Sequence, residues 1–144
     1  MLNDNLPSDA QILPFYLADG SDDVALIRGR VASVGRPANS ILKRHDYPPL
    51  VATLQAEALA LAACLSSTLK FDGVFTLQAK GSGLVRTLFA DITEAGHLRG
   101  YTAMEDNPTG FQATASAHDP LGSVCLGPLM GSGYIAFTVD DGTS

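Results

Sequence analysis

Any chemistry in this chain must come from a short set of side chains. They are His45, His97 and His118, the two cysteines Cys64 and Cys125, and Glu57, a carboxylate set in an apolar run. His45-Asp46 and His118-Asp119 have the residue types of a base and its orienting carboxylate. Adjacent residues on an extended chain point apart, however, and no Gly-x-Ser-x-Gly elbow supplies a nucleophile. The histidines have neither i, i+4 nor His-x-His spacing, and no CxxC or CxC occurs, so neither a metal centre nor a thioredoxin-like pair is spelled out. Gly81-Ser82-Gly83 and Gly131-Ser132-Gly133 lack the rest of a phosphate loop or dinucleotide fingerprint and precede strand-like runs, so both are turns. The expectation is no catalytic residue, no cofactor site, no metal site and no enzyme. His45 is assigned to packing where a helix begins, and Cys64 to the role of a small hydrophobe.

Glu57 carries the sharper question. A carboxylate among apolar neighbours must be paired or must reach water. Arg28, Arg30 and Lys70 are the candidate partners, and a structural ion pair is expected ahead of a functional acid.

These residues are positioned by one long element. Pro48-Pro49 can open a helix, because first-turn N–H groups have no partner to lose, and Asp46 suits its positive end. From Leu50 to Leu69 the run is mostly Ala and Leu, strong helix formers, with Glu57 the one charge. Ala58 to Leu65 is apolar all the way round, which predicts burial on every side. The polar residues Gln55, Glu57, Ser66, Ser67 and Thr68 interrupt the run and argue against a membrane span.

Around it, Gln11 to Ala18 and Val24 to Val34 read as strands, and Ala38 to Arg44 as a short helix after the break at Gly35-Arg36-Pro37. Phe71 to Lys80, Leu84 to Asp91 and His97 to Met104 are three β-prone runs joined by turn sequences, an antiparallel meander. Phe75, Leu77 and Ala79 share one face of the first, and Leu84, Leu88 and Ala90 one face of the second. Glu105 to Asp119 reads as a loop, Leu121 to Met130 as loose or short helical structure, and Tyr134 to Val139 as a strand.

At 144 residues with 46% hydrophobic content, residues 1–144 form a single domain with an ample core, and 1–10 and 140–144 are flexible ends. The net charge of −6 argues against nucleic acid as partner. The first residues lack a basic start and an apolar stretch, so no secretory signal is read and the cytoplasm is the expected compartment.

Three short stretches carry a resemblance: His45-Asp46-Tyr47-Pro48, Ala56-Glu57-Ala58 and Thr68-Leu69-Lys70-Phe71-Asp72-Gly73. In this order and without a gap, they are similar to the central-helix region of the redox-regulated heat shock protein 33 chaperones. Arg28-Gly29 followed by Val31, the meander, and Gly131-Ser132-Gly133-Tyr134 before a strand extend the likeness from about Phe15 to Val139. The resemblance implies an α+β fold, a three-layer β/α/β arrangement with a buried central helix. It also implies the N-terminal, substrate-binding part of a cytosolic holdase that uses no ATP and binds unfolding client proteins through apolar surface. The family's zinc module, with its Cys-x-Cys and Cys-x-x-Cys, has no counterpart among these residues, so zinc and the redox switch do not carry over. The apolar Tyr134–Val139 strand predicts a homodimer. The alternative classes are a small α+β ligand-binding or enzymatic domain, or a structural dimerisation module.

Overall fold

Two prolines set where the central helix begins. In the computed structural model, which describes residues 10–20, 26–106 and 126–143, Pro48 is the N-cap of the central helix (Pro49–Ser66), with extended backbone, φ −55° and ψ 149°. Pro49 sits in the first turn, where the absent N–H leaves no bond unmade. The helix stops at Ser66 rather than Leu69, and the reason is local. The hydroxyls of Ser66, Ser67 and Thr68 donate back to the carbonyls of Ala63, Cys64 and Leu65 at 3.0, 2.7 and 2.7 Å. They occupy acceptors that are left over at a helix end, while the N–H groups of Thr68 and Leu69 close tighter i→i−3 turns.

In chain order the elements are β1 (Gln11–Leu17), β2 (Ile27–Ser33), α1 (Gly35–Leu42), α2 (Pro49–Ser66), β3 (Val74–Gly81), β4 (Val85–Thr93), β5 (Leu98–Met104), α3 (Leu126–Met130) and β6 (Gly133–Asp140). Helix α1 starts at Gly35, ahead of the expected Ala38. Gly35-Arg36-Pro37 does not break it, because a proline in the first turn is tolerated. The expected start of the second strand at Val24, the loop after Asp106 and most of Leu121–Leu126 lie outside the described residues.

Strands β1 and β2 make a two-stranded antiparallel sheet, and the other four form a sheet of order β5-β4-β3-β6. The meander is present as expected, and β6 returns to pair antiparallel with the outer side of β3. Phe75, Leu77 and Ala79 do share a buried face. In β4 the expectation needs correction: Val85, not Leu84, joins Leu88 and Ala90 in the core. The register against β5 slips between Val85 and Thr87, so Arg86 is the extra residue of a bulge and is turned to solvent. There it ion-pairs with Glu105 and donates to the Ser82 carbonyl at 2.7 Å.

Helix α2 lies across the inner face of the four-stranded sheet, mostly over β4, with β2 on its other side, giving the three layers. Its buried residues, Val51, Leu54, Gln55, Ala58, Leu59, Ala62, Ala63 and Ser66, follow i, i+3, i+4 spacing and form one stripe. Burial on every side is therefore not what the fold delivers: Leu61 is 49% exposed and Ala60 is half-buried. An Ala/Leu sequence is apolar at every angle, but the two-stranded sheet is too narrow to cover the whole back of the helix. The helix is long and apolar enough to cross a membrane by composition, yet its stripe is spent on the sheet, as in a core helix.

Candidate functional site

The motif residues at the start of α2 serve a buried polar network. The Tyr47 hydroxyl accepts the Thr102 N–H at 2.9 Å, capping a donor on the outer edge of β5. The Thr102 hydroxyl donates to Gln55 Oε1 at 2.5 Å, and Gln55 Nε2 donates to the Phe89 carbonyl at 3.1 Å. Gln55 is fully buried, and among the described residues no buried side-chain polar atom lacks a partner. Burial raises the Tyr47 phenol above its ordinary pKa, partly offset by the Thr102 N–H it accepts. His45 stacks on Tyr47 with ring centroids 4.9 Å apart and meets the edge of Tyr101 at 5.4 Å. It makes the packing contact expected of it, and no hydrogen bond joins it to the exposed Asp46 among the described residues.

A hollow of about 320 Å³ beside β5 collects Arg44, His45, Asp91 and Arg99. Asp91 is buried and committed: one oxygen accepts the Thr76 hydroxyl at 2.7 Å and the other the Arg99 guanidinium at 2.8 Å. No nucleophile stands beside a base there, and among the described residues no group of histidine, cysteine and carboxylate side chains is placed to hold a metal. His118 and Cys125 lie outside the described residues. Cys64 is half-buried, its thiol 3.9 Å from the Arg30 carbonyl.

The remaining motif residues shape the chain. Glu57 is half-buried on the flank of α2 and makes no ion pair among the described residues, so the expected bridge to Arg28, Arg30 or Lys70 is absent. Arg30 turns to its neighbour's carbonyl, Gly29, at 3.1 Å, and Lys70 is exposed. Phe71 packs on the core beside Phe75, centroids 6.4 Å apart, and Asp72 is exposed. Gly73 has φ 111°, and a Cβ there would run into the Asp140 carbonyl at the end of β6, so glycine is required twice over. Gly131 closes α3 through its N–H to the Gly127 carbonyl at 2.8 Å; Gly133 and Tyr134 open β6. None of these residues converges with the others on one chemical site.

What the fold presents instead is apolar surface. The antiparallel register places Leu13 against Val31, Phe15 against Gly29 and Leu17 against Ile27 on one face of the two-stranded sheet. Every large side chain of that set is exposed, from Phe15 at 41% to Leu13 at 65%. The Phe15 ring lies flat across Gly29, where any Cβ would displace it. The opposite face carries Ile12 and Ala32, packed against the core. Single exposed apolar side chains are ordinary, but a contiguous set on one face marks an interaction surface. Sequence reasoning did not single out these residues, although the alternation of Leu13, Phe15 and Leu17 was the available signal. A second exposed apolar set, Ile135, Phe137 and Val139, lies on β6 beside Ala79, Leu77 and Phe75.

Comparison with known proteins agrees along the length of the chain. The family model described as Hsp33 protein matches residues 12–144. The 33 kDa chaperonin of Caulobacter vibrioides is 40% identical over 116 residues, 81% of this chain and 37% of that protein. The 33 kDa chaperonin of Pseudomonas savastanoi is 34% identical over 132 residues, 92% of this chain and 39% of that one. The crystal structure of the 33 kDa chaperonin of Thermotoga maritima superposes with a TM-score of 0.60 at 17% identity, over 92% of this chain and 46% of that one, and shares the fold. The chain thus spans about two-fifths of the length of these curated relatives.

Proposed function

The chain belongs to the Hsp33 family, and from that premise we propose that it is the client-binding part of an ATP-independent holdase, binding unfolding proteins through apolar surface. The observation that carries the reading is the exposed face of Leu13, Phe15, Leu17, Ile27 and Val31. An unfolding protein offers apolar segments of no fixed sequence, and a flat apolar sheet face can take them by burial alone, at about 25 cal/mol per Å². No phosphate loop occurs in the sequence, consistent with action without ATP. The partners are unfolded or misfolded clients in the cytoplasm, with the chain itself a homodimer, no role for nucleic acid or membrane, no catalysis and no bound cofactor. These 144 residues carry no Cys-x-Cys or Cys-x-x-Cys pair, so suppression of aggregation by this chain by itself is independent of peroxide and of reductant.

The test is suppression of light scattering from a heat-labile client, comparing the unaltered chain with Phe15→Ser/Val31→Ser. Both side chains are exposed, so the double variant should melt within a few degrees of the unaltered chain. The expected result is suppression by the unaltered chain, with and without peroxide, and most of it lost in the variant. Equal suppression by the variant would move the client surface elsewhere, and no suppression by either would remove the holdase reading.

A further inference from the structure

The hollow of about 320 Å³ beside β5 has parts that client binding leaves unused. Its walls are apolar, from Ile41 of α1, Phe89 of β4 and Leu98 of β5, and among the described residues none from β1 or β2 lines it. Two arginines edge it. Arg44 follows the last turn of α1, is exposed, and its guanidinium makes no hydrogen bond or ion pair among the described residues. Arg99 is 70% exposed yet fixed, because the buried Asp91 carboxylate accepts one of its N–H groups at 2.8 Å. Asp91 is itself held by the Thr76 hydroxyl at 2.7 Å. The rest of the planar Arg99 fork is left for another acceptor.

A backbone amide joins them. In an antiparallel pair, opposed residues alternate between exchanging ladder bonds and turning their N–H and C=O away from the partner strand. The Thr93 N–H bonds to the His97 carbonyl, whereas the Thr102 N–H turns outward to the Tyr47 hydroxyl. Gly100 has the parity of Thr102, stands opposite Ala90, and so sends its N–H to the same open side, where it lines the hollow. We propose that the hollow binds a small aromatic carboxylate. The carboxylate is held by Arg44, Arg99 and the Gly100 N–H, and the ring lies among Ile41, Phe89 and Leu98.

Charge decides the class of anion. The two arginines bring two positive charges and Asp91 one negative, so with His45 neutral the hollow holds a single positive charge. One carboxylate cancels it. A phosphate monoester, at about −1.5 to −2 near neutral pH, would overshoot and press its second negative charge towards Asp91. A guanidinium fork meets a carboxylate two bonds at a time. Apolar walls with a few convergent polar groups are what small-ligand sites present, and this volume is at the lower end of their range, which suits one ring. As an exposed ion pair alone, Arg99–Asp91 would contribute little and would call for no second guanidinium. The chain as a whole carries −6, so general attraction of anions does not account for binding here.

The experiment titrates benzoate into the 144-residue chain at neutral pH and follows the backbone amide signals by NMR. A saturating shift of the Gly100 amide is expected, with a dissociation constant on the order of 1 mM for so small a ligand. Benzamide, neutral and of the same shape, and phenyl phosphate should each bind at least about tenfold more weakly. Arg44→Gln, at an exposed position, should stay folded by circular dichroism and weaken benzoate about tenfold through loss of a charge-assisted pair. Lys43→Gln removes an exposed neighbouring cation that does not line the hollow, and should change the affinity by less than about twofold. No saturable shift at Gly100, benzamide binding as well as benzoate, or equal losses in the Arg44 and Lys43 variants would overturn the site. Phenyl phosphate binding more tightly than benzoate would overturn the choice of a carboxylate.

Discussion

The buried network between α2 and β5 allows one interaction to be weighed. Thr102→Val keeps the shape of the side chain but removes the hydroxyl that donates to Gln55 Oε1 at 2.5 Å. Gln55 is fully buried and its other amide group is already held by the Phe89 carbonyl at 3.1 Å. Its oxygen therefore has no second donor to turn to, and the cost is that of an orphaned buried acceptor, about 1–3 kcal/mol. Gln55→Leu orphans the Thr102 hydroxyl and removes one donor from the Phe89 carbonyl, which lies in the central strand β4, while adding apolar surface, and should cost about 1 kcal/mol. In Gln55→Leu/Thr102→Val the hydroxyl and the amide oxygen disappear together, so neither is left without its partner. The double variant should then be more stable than the sum of the singles predicts, by about 1 kcal/mol or more. Urea denaturation of the four proteins measures the cycle. For a chain of this size 1 kcal/mol corresponds to about 3–5 °C in Tm. Strict additivity, or Thr102→Val melting with the unaltered protein, would show that Gln55 reaches water and that the network is not closed.

Three further outcomes follow from the same structure. Burial raises the Tyr47 pKa above that of the unfolded chain, so its contribution is complete below about pH 10 and is lost as pH rises from there through the folded value. Tyr47→Phe should flatten the alkaline limb of stability and cost about 1 kcal/mol at neutral pH through the uncapped Thr102 N–H; an unchanged alkaline limb would contradict this. Ala62→Asp puts a charge at a fully buried position and should abolish cooperative unfolding, whereas Ala60→Asp, half-buried, should lower Tm yet leave a folded protein; equal losses would mean that α2 is covered on both sides after all. Elemental analysis of the purified chain should find far less than one zinc per chain, because no ligand spacing for zinc occurs in the sequence.

Period and composition carried much of the architecture. The Ala/Leu run with prolines ahead of it gave α2, because propensity and capping act within a few residues. The three alternating runs and their glycine turns gave the meander, whose partners are neighbours in sequence. The Lys70–Gly73 and Gly131–Tyr134 stretches were legible as landmarks, but their reasons are tertiary: Gly73 is needed because the end of β6 passes over it. The candidate surface was written in the alternation of β1, yet a sequence cannot say which face of a strand meets the core.

What the sequence determined by itself was therefore local: where elements start, their type, the meander, and by resemblance the family. What only the tertiary structure decided was which apolar residues stay uncovered. Ala58–Leu65 is apolar at every angle, so burial on one stripe, with Leu61 left half in water, depends on the width of the sheet behind it. The bulge at Arg86 exchanged Val85 for Leu84 in the core, a register slip set by the pairing with β5. Glu57 went without its expected partner, and Arg30, one of the candidates, donates to a backbone carbonyl instead. Each of these is fixed by residues distant in sequence, where local propensity and periodicity carry no information.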